Sequence, residues 1–335
     1  MEGMLTDTPW RPCTAQGIDN RCMHLVVPFA ASLSEAGAQT LQSLRLPQLE
    51  RLLSRLERGV QTGSDENTLN LPHEQVLARS RGWVGDDGCL PFAAVWAQAD
   101  GLPGAPDGQG WGLLTPSHWQ LGREQIELRD PDALELDDAE SRALLQAVRD
   151  LFESEGWTLH WGATLRWYAT HESLATLATA SLDRVIGRHI DDWLPERLAG
   201  RQVRRLQSEL QMLLHTHPIN DAREARAALP VNSVWLSGTG RTQSLASGSE
   251  EPTVDGRLRA PLLAQDWAAW AEAWQALDAQ VLGDLDARAA RGEVFSLTLC
   301  GERHAVRFDS APRSAWQRLA QTWRSVSCLP VLRSL

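Results

Sequence analysis

The clearest periodic segment lies past the middle of the chain. Leu206, Leu210, Leu213 and Leu214 fall at i, i+4, i+7 and i+8 among charged and amide side chains, the pattern of an amphipathic helix. Pro218 ends that helix, and Asn220 or Asp221 is placed to cap a short one after it. Residues 231–236 form an apolar run typical of a buried strand. It leads into Ser237, Gly238, Thr239, Gly240 and Arg241, expected as a polar loop. A glycine-containing loop at a strand end, closed by an arginine, suits contact with an anion.

The remainder reads in the same way. Residues 1–20 are expected to be a flexible lead-in and 23–28 (MHLVVP) a buried strand running into Phe29 and a polar loop. A helix begins at Leu46 with Pro47 in its first turn, 61–70 form a polar loop, and a second helix covers 73–81. A turn at Asp86, Asp87 and Gly88 precedes a third helix at 91–99. Residues 101–110 hold four glycines and two prolines and read as a linker. Strands at 111–119 and 125–128 follow, then a helix from Asp137 that Gly156 ends, then one long strand over 157–168: an α+β unit with mostly antiparallel strands. A second polar span, 242–258, precedes a tryptophan-rich helix at 267–290. A hairpin of 295–299 with 305–308 and a helix from Pro312 close the chain.

Composition narrows the classes. The 335 residues allow one large domain or two ordinary ones, and 43% hydrophobic with 22% charged residues is a globular balance. No apolar run approaches the roughly 18 residues of a membrane helix. The first residues show neither a basic start nor an apolar centre, so no signal peptide, no membrane and a cytoplasmic location are expected. A net charge of -11 speaks against a nucleic-acid partner. All 32 basic residues are arginine, which removes any lysine nucleophile and favours bidentate capture of carboxylate or phosphate. The five cysteines (Cys13, Cys22, Cys89, Cys300, Cys328) show no C-x-x-C and no zinc spacing.

A few side chains stand out. Arg166 lies at a strand end, and Asn220, Arg223, Asn232 and Arg241 sit near two chain turns, each either an anion contact or a brace for the loop. His215 and His217 at a helix end suit the C-terminal dipole better than a metal. His73 and Glu74, Asp266, and Cys300 with His304 form the one set that could carry residual chemistry, including a Cys–His pair. Trp267, Trp270 and Trp274 share a helix face, read first as core and second as a partner groove.

The order H-P-x-N-x-x-R, then N-S-x-W-x-x-G-x-G-R, is present as His217, Pro218, Asn220, Arg223, Asn232, Ser233, Trp235, Gly238, Gly240 and Arg241. It resembles the archaeal-type cofactor-independent phosphoglycerate mutases of the alkaline phosphatase superfamily. Among bacterial proteins it resembles the RpfE-type, phosphoglycerate-mutase-like regulatory proteins. Leu165, Arg166 and Trp167 lie where that family has a Tyr-Arg pair, and Gly187 to Pro195 resembles its G-x-x-I-x-x-x-L-P segment. The flanks are similar more faintly, through Leu46–Leu52, Pro72–Ala78, Asp266–Asp278 and Leu297–His304. The resemblance implies an α/β fold: a reduced alkaline-phosphatase-like sheet domain (21–105 and 242–335) with an inserted α+β cap (106–241). It implies anion or substrate contacts at Arg166, Asn220, Arg223, Asn232 and Arg241.

The chain departs from that family where metals would bind. Two-metal phosphoryl transfer needs a carboxylate after the first strand, a Ser or Thr nucleophile and further Asp and His ligands. This chain offers Phe29 and Ala30, then His73 or Glu74, then Asp266 with Trp270 in place of a histidine, then Cys300 to His304. The expectation is therefore a pseudoenzyme without metal or catalytic residues, binding a phosphorylated small molecule or a protein partner. The alternatives are an active mutase or phosphatase with an atypical Mn or Zn site, and an interaction module working through the tryptophan-rich helix.

Overall fold

A computed structural model describes residues 23–63, 65–104, 106, 108–122, 125–195, 198–244, 251–310 and 326–335. The expected lead-in at 1–20 and most of the helix expected from Pro312 lie outside them. The described residues form two compact units, one of 23–67, 71–81 and 251–335, the other of 68–70 and 82–244.

The first unit is built on a five-stranded sheet in the order β2-β11-β10-β1-β9. Its middle strand is β10 (Phe295–Cys300), which runs parallel to β1 (Met23–Val27) with Met23 opposite Phe295 and Val27 opposite Leu299. The short β9 (Thr253–Val254) runs parallel along the other side of β1. On the far side β10 folds back into β11 (His304–Asp309), the hairpin expected from the sequence, and β11 pairs with β2 (Glu57–Gly63). Part of the segment expected as a loop over 61–70 is thus edge strand; its exposed side chains hide the apolar alternation that marks a strand.

Helices α1 (Glu35–Ser43), α2 (Pro47–Arg55), α10 (Trp267–Leu277) and α11 (Gly283–Arg291) share one core with one face of that sheet. Helix α1 falls where a polar loop was expected. Ser34 caps it by accepting from Gly37 N at 3.0 Å, and only Gly37 and Leu41 are buried, so its apolar stripe is too thin to read. The single helix expected over 267–290 is two helices joined by a π-helical turn, Asp278–Leu282. At that turn the Asp278 carboxylate accepts from Gln48 N and Leu49 N at 3.1 and 2.7 Å, satisfying free donors at the start of α2. Trp270 and Trp274 are fully buried, with ring centroids 6.4 Å apart at 77°, so the tryptophan face belongs to the core.

The second unit is a four-stranded antiparallel sheet, β6-β7-β3-β8. The long strand expected over 157–168 is a hairpin of β6 (Thr158–Ala163) and β7 (Arg166–Thr170), turning at Thr164 and Leu165 without glycine or proline at the turn itself. β3 (Gly110–Ser117) lies between β7 and β8 (Ser233–Arg241). β8 runs through the residues expected as a glycine loop. Gly238 and Gly240 hold φ of 61° and 154°, and the register slips between Trp111 and Leu113. Those glycines serve an irregular strand, not an anion loop.

Helices α5 (Asp138–Glu153) and α7 (Leu198–His215) cover one face of this sheet. The Leu206, Leu210 and Leu214 stripe of α7 is buried there as expected. Helix α4 (Phe92–Ala99) packs Ala93, Ala94 and Ala97 on Trp111, Leu113 and Tyr168. Residues 82–104 therefore pack with the second unit, and the chain divides near residue 81 and not at the Gly/Pro segment 101–110.

Candidate functional site

In the second unit, Arg166 opens β7 and reaches the residue that follows α4. Its Nε and Nη2 donate to the two carboxylate oxygens of Asp100, each at 2.8 Å, and the Tyr168 hydroxyl donates to Asp100 Oδ2 at 2.6 Å. A Cβ on Gly162 would stand 2.7 Å from Asp100 Oδ2, so the glycine makes room for the cluster. Burial alone would lower the Arg166 pKa, but the hydrogen bonds and charge of Asp100 outweigh it and the net shift is upward. Burial, then the hydrogen bond and charge of Asp100, push the Tyr168 phenol up as well. The guanidinium is already matched by a bidentate carboxylate, the partner an anionic ligand would replace.

Asn220 and Arg223 lie on α8 (Pro218–Ala225), whose cap is His217, accepting from Ile219 N at 3.3 Å, and not Asn220 or Asp221. The Asn220 amide donates to Leu214 O and Val231 O at 2.9 and 2.8 Å and accepts from Val231 N at 2.9 Å. Arg223 is wholly buried, donating to Leu229 O, to Leu134 O and, at 2.6 Å, to Glu140. Asn232 accepts from Trp119 N at 2.7 Å and donates to Trp119 O at 3.0 Å. All three brace loops, the bland alternative in their sequence pattern. Arg241 is exposed at the end of β8. Among the described residues, no hydrogen bond or ion pair joins any two of these five side chains.

In the first unit, the turn that follows β1 places Phe29 in the left-handed region, φ 58°, buried to 5% exposure. Its ring meets that of His73 at 5.3 Å, its carbonyl accepts from Trp270 Nε1 at 3.2 Å, and the next amide, Ala30 N, donates to Cys300 O at 2.8 Å. Aromatic packing occupies the strand end where the resemblance would place a metal-binding carboxylate.

Glu74 closes the first turn of α3 (Pro72–Ser80) by accepting from Leu71 N at 3.0 Å. Asp266 caps α10, accepting from Ala269 N at 3.0 Å. Cys300 lies directly opposite Ala305 in the β10–β11 ladder, so His304, one residue away, faces the other side of the sheet. The thiol is fully buried, which pushes its pKa far up and disfavours the thiolate that a Cys–His pair needs. The described cysteines Cys89, Cys300 and Cys328 form no disulfide. Among the described residues, no three His, Cys, Asp or Glu side chains are grouped to hold a metal ion.

One feature escaped the sequence reading. Alternation along β10 and β11 places Ser296, Thr298, Arg307 and Asp309 on the sheet face away from the core, beside His24 of β1. The signal was present in the alternating polar positions of FSLTLC and HAVRFD, which read simply as a buried hairpin.

No protein-family model matches the chain. Over 137 residues, 41% of its length, the chain is 23% identical to a probable 2,3-bisphosphoglycerate-independent phosphoglycerate mutase of Geobacter sulfurreducens, a distant homologue. That match covers 34% of the relative, so the chain spans about a third of the length of the curated protein it matches. A solved cofactor-independent phosphoglycerate mutase from Thermoplasma acidophilum aligns over 93% of this chain and 99% of its own, at 13% identity and a TM-score of 0.36. The PH0037 protein from Pyrococcus horikoshii aligns over 89% and 92%, at 11% identity and 0.38. No helix among the described residues is long and apolar enough to cross a membrane.

Proposed function

We propose that this chain is a phosphoglycerate-mutase-like protein that acts by binding, as a regulatory pseudoenzyme of the RpfE type, and not by two-metal phosphoryl transfer. In this reading the first unit is the reduced phosphatase-like domain and the second its cap, with 82–104 on the cap side and not in the 21–105 segment expected from the sequence. The partner is a phosphorylated small molecule or a protein, met in the cytoplasm. The observation that carries the reading is the use of the candidate reactive groups by the fold itself. Glu74 and Asp266 cap helices, Cys300 is buried across from Ala305, and Phe29 packs on His73. A carboxylate committed to a helix N-terminus has one oxygen engaged by a backbone donor and its orientation set by that bond.

A second reading, an active mutase or phosphatase with an atypical Mn or Zn site, is favoured by the activity in the name of the Geobacter relative. The two separate on turnover. The purified chain, supplied with 3-phosphoglycerate and either Mn²⁺ or Zn²⁺, is expected to produce no 2-phosphoglycerate or free phosphate above a blank. Turnover that disappears in Asp266→Asn or His304→Gln would establish the enzyme and sink the pseudoenzyme.

A further inference from the structure

A cavity of about 630 Å³ lies within the first unit, on the polar face of the five-stranded sheet. Strands β1, β2, β10 and β11 contribute to its lining, and so does the second half of α3. Its volume falls in the range of pockets for small metabolites. The polar wall is already assembled. His24 Nε2 and Thr298 Oγ1 are 2.8 Å apart, Ser296 Oγ donates to Asp309 Oδ1 at 2.6 Å, and Arg307 donates to Asp309 Oδ1 at 2.8 Å and to Ser296 Oγ at 2.7 Å. Arg307 is therefore held in a fixed plane by two partners. Groups fixed in this way lose little freedom when a ligand arrives.

The charges in the cavity are unequal. Arg307 is offset by Asp309, whereas Arg79 on α3 makes no hydrogen bond or ion pair among the described residues. The lining thus carries two guanidinium groups against one carboxylate, together with the Thr62 hydroxyl, the Ser80 hydroxyl, which donates to Leu77 O at 2.8 Å, and the apolar side chains of Val60 and Val76. A tetrahedral dianion offers more acceptor positions to two arginines and the Thr62 hydroxyl than a planar carboxylate does. We propose that this cavity binds a small phosphate monoester, Arg79 and Arg307 taking the phosphate oxygens and Val60 and Val76 facing the organic group. The site is separate from the residues carried over from the mutase resemblance. It does not rest on the chain being inactive, since phosphate binding here and turnover elsewhere are measured independently.

The test is calorimetric titration of the full chain with phenyl phosphate, inorganic phosphate and benzoate. Wild type is compared with Arg79→Gln, an exposed helix position where folding is preserved, and with Arg201→Gln on α7 as a charge-matched control. Saturable binding of one phenyl phosphate per chain is expected, tighter than inorganic phosphate. It should weaken about tenfold or more in Arg79→Gln, as for loss of a charge-assisted hydrogen bond, and stay unchanged in Arg201→Gln. An affinity equal in wild type and Arg79→Gln, or no saturable heat with either phosphate, would overturn the site. Benzoate binding as tightly as phenyl phosphate would overturn the phosphate assignment.

Discussion

The indole Nε1 of Trp270 donates to the main-chain carbonyl of Phe29 at 3.2 Å, tying α10 to the end of β1. Both residues are buried, and Phe29 holds a left-handed backbone that a large side chain rarely adopts. The hydrogen bond helps to fix that turn. Trp270→Phe keeps most of the packing but leaves a buried carbonyl without its donor, for an expected loss of about 1–3 kcal/mol. Trp270→Ala adds a cavity, and about 3–5 kcal/mol is expected. Urea denaturation of the two variants measures both; equal losses would show that the hydrogen bond carries the whole effect and the ring none.

Tyr168 is the only tyrosine in the chain, which makes its titration directly visible. Burial and the hydrogen bond to Asp100 hold its pKa above the ordinary value of 10.0, so the folded state favours the neutral phenol. The stability it contributes is complete below about pH 10 and is lost as pH rises beyond it, because the unfolded phenol ionises first. Phenolate absorbance should therefore appear together with unfolding and not before it. Tyr168→Phe should remove that alkaline dependence and cost about 1.5–3 kcal/mol near neutrality, the range for a hydrogen bond to a charged group. A phenolate signal near pH 10 in the folded chain would contradict the buried placement.

Two arginines share Glu140, and they should behave differently. Arg223 is wholly buried and also serves two carbonyls, whereas Arg226 reaches Glu140 from a side chain that is 51% exposed. Arg223→Ala should destabilise by about 3–5 kcal/mol, the range for breaking a buried pair. Arg226→Ala should cost about 1 kcal/mol or less. Thermal melts of the two variants check the contrast.

Cysteine labelling reports burial in the first unit. Cys300 should resist alkylation in the native chain at any pH at which the fold survives, since burial keeps its thiol protonated. Cys328, its pKa pushed up to about 11 by burial and then by the charge of Glu50, should react slowly at neutral pH and faster as pH rises. Peptide mapping after brief iodoacetamide treatment distinguishes the two. Prompt modification of Cys300 at neutral pH would mean that β10 is not in the sheet.

The elements legible in the sequence were those with a full apolar stripe or a marked end. The Leu206 to Leu214 stripe gave α7, the proline at residue 47 gave α2, and the run at 23–28 gave β1. Those missed lacked such marks: α1 buries two residues, β2 is exposed at an edge, and the β6–β7 hairpin turns without glycine at its tip. The site was harder. Arg166 and Arg223 look like anion receptors in sequence because their carboxylate partners, Asp100 and Glu140, lie 66 and 83 residues away. Motif spacing shows which groups exist but not which are already engaged. The polar sheet face shows the reverse, since Arg307 and Asp309 alternate in plain view while Arg79 and His24 join them only through the fold.

The wide turn at Asp278–Leu282 acts as a spacer in a clasp. On one side of it Asp278 holds the first amides of α2, and on the other Asp286 meets Arg55 at 2.7 Å in the last turn of α2. Each residue of an α-helix advances the side chains by about 100°. Deleting one residue from the turn would let the two helices run on as one regular rod. It would also swing Leu285 out of the core and carry Asp286 past Arg55. The grip on α2 at both ends therefore depends on a length of chain that a straight helix does not need, and a shortened variant should release one end while keeping the other.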